Sequence, residues 1–188
     1  YLDDLARVLV PIFDAKHLLP QLLTQMFMKE VDVADCYQIL FRGNSLASKI
    51  MSFCFKVYGA SYLVQLFQPL LMNLFSPENI FKSYEVDPSR VESVENVDEN
   101  RQNLLQLTQS VIDSIVNSTK IFPLHLRIVC HCLYHVVSHR FPQSGFQAVG
   151  TVIFLRFINP VLVSPHEHGL VDMEPTPKMK RGLTLMCK

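Results

Sequence analysis

The chain has 188 residues, enough for one domain with a sizeable core, and 49% of them are hydrophobic, so most helices must bury at least one face. Seventeen Lys and Arg balance seventeen Asp and Glu. That neutrality argues against nucleic-acid binding, which draws on an excess of cations to release counterions. The longest apolar stretch, 151–163, is too short to span a bilayer and is interrupted by Arg156, Asn159 and Pro160.

Helical periodicity runs from end to end. Leu2, Leu5, Leu9, Ile12 and Phe13 share one face, and Leu18, Leu22, Met26 and Phe27 continue the pattern beyond a connection near Asp14. Pro11 and Pro20 are expected to kink these segments or to mark first turns. The segment 45–58 is the cleanest case. Leu46, Ile50, Phe53, Cys54 and Val57 lie on one side of it, and Ser45, Lys49, Ser52 and Lys56 on the other. Ser45 or Asn44 is a suitable N-cap, and Gly59 reads as the stop. A further apolar helix is predicted over 61–75.

Residues 76–97 break the rhythm. They are acidic, contain Pro77 and the turn-like Val86-Asp87-Pro88-Ser89, and show no sustained period. They read as a surface excursion between two halves of a helical array, with carboxylates solvated rather than paired. Helices are predicted again over 98–117, 124–140, 146–158 and 178–188. With no alternation of period two, the fold class is all-α.

Cys36, Cys54, Cys130, Cys132 and Cys187 are odd in number and irregularly spaced, and no signal peptide is recognisable. Free thiols in a reducing compartment, the cytoplasm, are the expectation. The chain starts at Tyr1 and stops at Lys188 inside a predicted helix, so it reads as a piece of a longer protein.

Self-contained catalysis finds little support, because no phosphate-cradling Gly-x-x-x-x-Gly-Lys loop, Gly-x-Gly-x-x-Gly turn or Gly-x-Ser-x-Gly elbow occurs. His131, His135 and His139 recur every four residues, a spacing at which two histidines can share a metal. Cys132 points about 100° away from His131 on a helix, so a core cysteine beside a polar histidine face is preferred and no metal site is assigned. Arg156 is the single charge inside Val152-Ile153-Phe154-Leu155-Arg156-Phe157-Ile158-Asn159-Pro160-Val161. Pro160 disfavours helix at Asn159, which puts Arg156 in a last helical turn. Either it settles its own helix dipole or it reaches across to the backbone carbonyls of a neighbouring loop, and spacing leaves both open. Arg42 stands in Leu40-Phe41-Arg42-Gly43-Asn44-Ser45, between an apolar pair and a helix start. The flanks anchor the loop and leave the guanidinium pointing outward. By spacing alone it is an ordinary loop arginine.

Together, Leu40-Phe41-Arg42-Gly43-Asn44-Ser45-Leu46-Ala47 and Phe154-Leu155-Arg156-Phe157-Ile158-Asn159-Pro160 resemble the two signatures of Ras GTPase-activating proteins. Phe53-Cys54-Phe55-Lys56-Val57-Tyr58-Gly59-Ala60, Glu85-Val86-Asp87-Pro88 and Val129-Cys130-His131-Cys132-Leu133-Tyr134 extend the likeness towards the neurofibromin-type branch. The resemblance covers residues 1–188 as one multi-helix domain whose C-terminal helices are missing. It implies a GTPase activator that is not itself an enzyme and that acts in trans on a GTP-bound Ras-type small GTPase, negatively regulating Ras signalling. Arg42 would be the arginine finger and Arg156 the brace of its loop. Phe41, Gly43, Asn44, Leu155, Asn159 and Lys188 would belong to the GTPase-facing surface, with Asn159 shaping the finger region. Thr184 stands where the family pattern has a lysine. No cofactor of its own is implied, since GTP and Mg²⁺ come with the partner, and recruitment to the membranes where Ras resides is expected. The basic run Lys178, Lys180, Arg181 and Lys188 would steer encounter. A helical scaffold that binds a GTPase without stimulating hydrolysis is the alternative; relatives of that kind typically lack the finger arginine.

Overall fold

The computed structural model describes all 188 residues, and every regular element in it is helical. In order these are α1 (Leu2–Ala15), α2 (Leu19–Asp32), a 3₁₀ turn (Tyr37–Ile39), α3 (Leu46–Leu74), α4 (Val97–Asn117), α5 (Leu124–Arg140), α6 (Gly145–Val152), a π-helical turn (Ile153–Ile158), α7 (Asn159–Val163) and α8 (Pro177–Met186). The chain resolves into two compact units, one of Tyr1–Ala60 with Phe122–Phe157 and one of Ser61–Ile121 with Ile158–Lys188.

In the first unit α2 packs on α5, and α5 on α6. Its core is built from Leu19, Leu23 and Phe27 of α2, Ile50 and Met51 of α3, and Leu126 and Leu133 of α5, each no more than 1% exposed. On α1 the stripe sits one step away from the expected face. Ala6 and Val10 are buried, whereas Ile12 is exposed.

Gly59 does not stop α3, which runs through it as one helix of 29 residues. Glycine serves here for proximity rather than for a left-handed cap. A Cβ at Gly59 would stand 2.4 and 2.5 Å from ring carbons of Phe157 and 3.1 Å from Leu126 Cδ1. The Phe157 ring is stacked on Phe55 with centroids 4.9 Å apart, so the ring occupies the space a side chain would need. The helix start does follow the sequence: Ser45 Oγ accepts the Ser48 N–H at 3.1 Å, the N-cap bond of α3. Val57, expected in the apolar face, is exposed, and the face centres on Ile50, Met51, Cys54 and Phe55. By length and composition α3 and the helix over Gly145–Val163 are apolar enough to cross a membrane, which the interrupted run 151–163 does not suggest. For α3 that apolarity is the signature of a core helix.

Pro160 does not end a helix either. The chain widens into the π turn Ile153–Ile158, and Pro160 then falls in the first turn of α7, where its missing N–H leaves no α-helical bond unmade.

In the second unit α4 packs on α8, and α7 on α8, around Phe67, Leu71, Leu162, Met179 and Leu183. The irregular segment 76–96 is fastened to it. Tyr84 is 3% exposed and lies against Gly182, where a Cβ would come within 2.5 Å of the ring. Two of its acidic residues, Glu85 and Glu95, are paired, not merely solvated. Arg181 donates Nε and Nη2 to the two oxygens of Glu85 at 2.8 and 3.2 Å. Glu95 accepts from Lys178 at 2.5 Å, from Ser83 Oγ at 2.8 Å and from Asn100 at 3.3 Å. The guanidinium of Arg181 holds the Glu85 carboxyl below the usual carboxylate range, and the Lys178 hydrogen bond does the same for Glu95. Lys178, Arg181 and Lys180 (paired with Glu174) thus each have a carboxylate partner inside this unit.

Candidate functional site

Arg42 lies at the centre of the loop between the 3₁₀ turn and α3, and it is exposed, as are Gly43 and Asn44. What precedes it is fixed. Leu40 is 5% exposed and Phe41 is 0%, which corrects the assignment of Phe41 to a partner-facing surface: its ring is a core side chain, edge-on to Phe27 with centroids 5.2 Å apart.

The backbone at Phe41 adopts φ 58°, the left-handed region, which a bulky L-residue enters at a cost of about 1–3 kcal/mol. The surroundings over-determine it. The Phe41 N–H donates to Glu30 Oε1 at 3.1 Å. The Phe41 carbonyl accepts from Nη2 of Arg156. One peptide unit is therefore gripped by an anion at its N–H and the next by a cation at its C=O, while the ring is buried between them. The left-handed kink turns the chain outward immediately before Arg42. Downstream, Ser48 Oγ donates to the Gly43 carbonyl at 2.9 Å, fastening the loop to the first turn of α3.

Arg156 is half-buried in the π turn, beside the exposed Phe154 and Leu155. The π turn leads directly into α7, and from it the guanidinium is directed at the Arg42 loop, where it donates to the Phe41 carbonyl. Glu30, near the end of α2, is the residue that sequence reasoning missed. A glutamate in the last turn of an amphipathic helix reads as solvated, and only the fold brings Phe41 to it. The end of α2 is itself held, because Arg140 donates to the carbonyls of Val31 and Asp32.

In the second unit, Asn159 donates to the Cys187 carbonyl at 3.1 Å and so ties the start of α7 to the end of α8. Lys188 follows and is exposed. Thr184 donates its hydroxyl to the Lys180 carbonyl at 2.8 Å and presents no charge.

The Cys/His stretch of α5 separates. Cys132 is buried with its thiol towards the Pro20 carbonyl, whereas His131 and His135 are exposed with rings 4.3 Å apart. No group of three or more His, Cys, Asp or Glu side chains is close enough to hold a metal. All five cysteines are free, and burial pushes the Cys54 thiol up to about 12 and that of Cys130 to about 11.

Residues 91–188, more than half the chain and including Arg156, Asn159 and Lys188, match the family model described as GTPase-activator protein for Ras-like GTPase. The chain belongs to the RasGAP family. Its RasGAP relatives extend the likeness across Arg42. The probable Ras GTPase-activating-like protein ngap of Dictyostelium discoideum is 31% identical over 189 residues, covering 99% of this chain and 21% of that protein. Ras GTPase-activating protein 1 of Rattus norvegicus is 28% identical, over 98% of this chain and 18% of its own length. Inhibitory regulator protein IRA1 of Saccharomyces cerevisiae is 29% identical, over 92% and 6%. This RasGAP chain thus spans a fifth or less of the length of the last two, and about a fifth of the first.

Proposed function

We propose that this chain stimulates GTP hydrolysis by a GTP-bound Ras-type small GTPase, with Arg42 inserted into the partner's active site as an arginine finger and Arg156 bracing its loop. The observation that carries this reading is the loop itself: an exposed arginine leaves a backbone position that is buried, left-handed and gripped from both sides. A side chain meant only for solubility needs no such rigid mount. Hydrolysis spreads negative charge over the γ-phosphate oxygens and the leaving oxygen, and a guanidinium is planar, permanently charged and able to bond two of them at once. Because the mount is preformed, little reorganisation is needed when the charge develops. As a class, arginine fingers on Ras-type GTPases raise the hydrolysis rate by about 10³–10⁵-fold. The exposed Leu155 and Phe154 beside the brace supply apolar surface for the partner's contact. Nucleotide and Mg²⁺ arrive with the GTPase, and the chain needs no cofactor of its own.

The test is single-turnover hydrolysis by a Ras-type GTPase loaded with GTP, with the 188-residue chain, Arg42→Ala and Arg42→Lys. Both variants are expected to lose at least a thousandfold of the stimulated rate while binding the GTPase within about tenfold of the original. Undiminished stimulation by Arg42→Ala would remove the finger assignment. Binding with no stimulation by the unaltered chain would favour a scaffold instead.

A further inference from the structure

We infer that Glu30 is a positioning residue for the finger: its carboxylate, by accepting the Phe41 N–H, fixes the backbone direction from which Arg42 projects. This rests on the reading of Arg42 as the finger. Three features of the geometry point to Glu30. First, its Oε1 lies 3.1 Å from the Phe41 nitrogen, and that N–H has no other acceptor. Second, Glu30 and Phe27 stand three residues apart on α2, so one helix face supplies both the acceptor for the Phe41 backbone and the ring against which the Phe41 side chain packs. Third, the peptide it holds is the one that sets the left-handed φ of 58°.

The two grips are complementary. Arg156 fixes the C=O of Phe41, and Glu30 fixes its N–H. Without Glu30 the Phe41–Arg42 peptide keeps its contact to Arg156 and, through the Arg42 N–H, a bond to the Ile39 carbonyl at 3.3 Å, but Phe41 loses its one N–H bond and its φ can relax towards the ordinary right-handed or extended regions, which a phenylalanine prefers. Such a relaxation turns the Phe41–Arg42 peptide and swings the guanidinium away from its ready position. A finger that must first be re-aimed loses rate at saturation, because the energy of re-aiming comes out of the transition state and not out of encounter. Arg140, which holds the Val31 and Asp32 carbonyls, keeps the end of α2 from yielding in turn.

The experiment measures saturating single-turnover rate and half-saturating concentration separately, for the 188-residue chain with Glu30→Ala, Glu30→Gln and Arg42→Ala, and for the Glu30→Ala/Arg42→Ala double variant. Glutamine keeps an acceptor oxygen at the same reach, so Glu30→Gln is expected to remain within about threefold of the original rate. Glu30→Ala is expected to lose about tenfold to a hundredfold in saturating rate, the effect of one hydrogen bond to a charged group, with half-saturation changed less than threefold. In the Arg42→Ala background, removing Glu30 is expected to cost less than twofold, because there is no finger left to aim. A purely structural glutamate would slow both backgrounds alike or shift half-saturation instead, and either result overturns the inference. So does a Glu30→Ala rate within twofold of the original where Arg42→Ala has collapsed. If Arg42→Ala itself leaves the rate intact, the finger reading fails, and that outcome is distinct. Should Glu30→Ala melt below the assay temperature, Glu30→Asp takes its place. It keeps the charge but shortens the arm, and a rate at least fivefold below Glu30→Gln is required.

Discussion

Replacing Gly59 by alanine opposes two effects of known sign. In the interior of a helix the change ordinarily stabilises by about 0.5–1 kcal/mol, because alanine loses less backbone freedom on folding. Here the added methyl would meet Phe157 ring carbons at 2.4 and 2.5 Å and Leu126 Cδ1 at 3.1 Å. The ring cannot simply step aside. Phe157 is 3% exposed, and Phe55, stacked on it at 4.9 Å, is 2% exposed. Overpacking costs about 1–3 kcal/mol, and contacts this short put it in the upper part of that range, about 2–3 kcal/mol, so the net loss after the propensity gain is about 1–2 kcal/mol. For a chain of this length that lowers the thermal midpoint by about 2–8 °C. Circular dichroism melts of the original chain and Gly59→Ala read it directly. The penalty is expected to fall by at least half in a Phe157→Leu background, where the two ring carbons in question are gone. A Gly59→Ala protein that melts at or above the original would mean that helix propensity, not the Phe157 contact, governs this position, and the close-approach account would be wrong.

Acid is expected to loosen the second unit. Glu85 is held below the ordinary carboxylate range by Arg181, and Glu95 by Lys178, so both carboxylates favour the folded state when ionised. Their contribution is complete above the unfolded carboxyl range near about pH 4.3 and is lost as pH falls through the lower folded values. Melts between pH 6 and pH 3 should show a midpoint that drops less steeply for Glu85→Gln than for the original chain, and parallel curves would refute the linkage. The Cys54 thiol, fully buried and raised to about 12 by burial with a further push from Asp14, is expected to resist alkylation in the folded chain at pH 8 and to react on unfolding. Peptide mass spectrometry after a timed iodoacetamide pulse measures it, and prompt native labelling of Cys54 would contradict its burial.

The helical class and most element positions were legible because amphipathic periodicity is a local property. The predicted helix over 124–140 coincides with α5, and that over 98–117 falls within a residue of α4. Gly59 was misread because glycine has two unrelated uses, freedom of φ and absence of a side chain, and only the presence of Phe157 says which applies. Pro160 was misread because an α-helical rule was applied to a segment that winds wider. The acidic segment looked solvated because Arg181 and Lys178 lie more than eighty residues from Glu85 and Glu95 in sequence. At the candidate site the same limit holds. Spacing showed that Arg156 had two possible destinations, and the fold supplies one, the Phe41 carbonyl. Glu30 carried no sequence signal at all, since a single carboxylate near a helix end is indistinguishable from any other.

The π turn makes chain length, and not only side-chain identity, a condition on the hydrogen bond from Arg156 to the Phe41 carbonyl. A π turn is in effect an α-helix with one residue too many. Deleting a single residue from 154 or 155 would let the segment wind as regular α-helix, keep every charge in the sequence and disturb little of its hydrophobicity. It would also rotate Arg156 by about 100° relative to Val149 and Val152, away from the Phe41 carbonyl. In this stretch one-residue insertions and deletions therefore act like substitutions of Arg156 itself, and variants of that kind would be misjudged by any comparison that scores only which residue stands at each position.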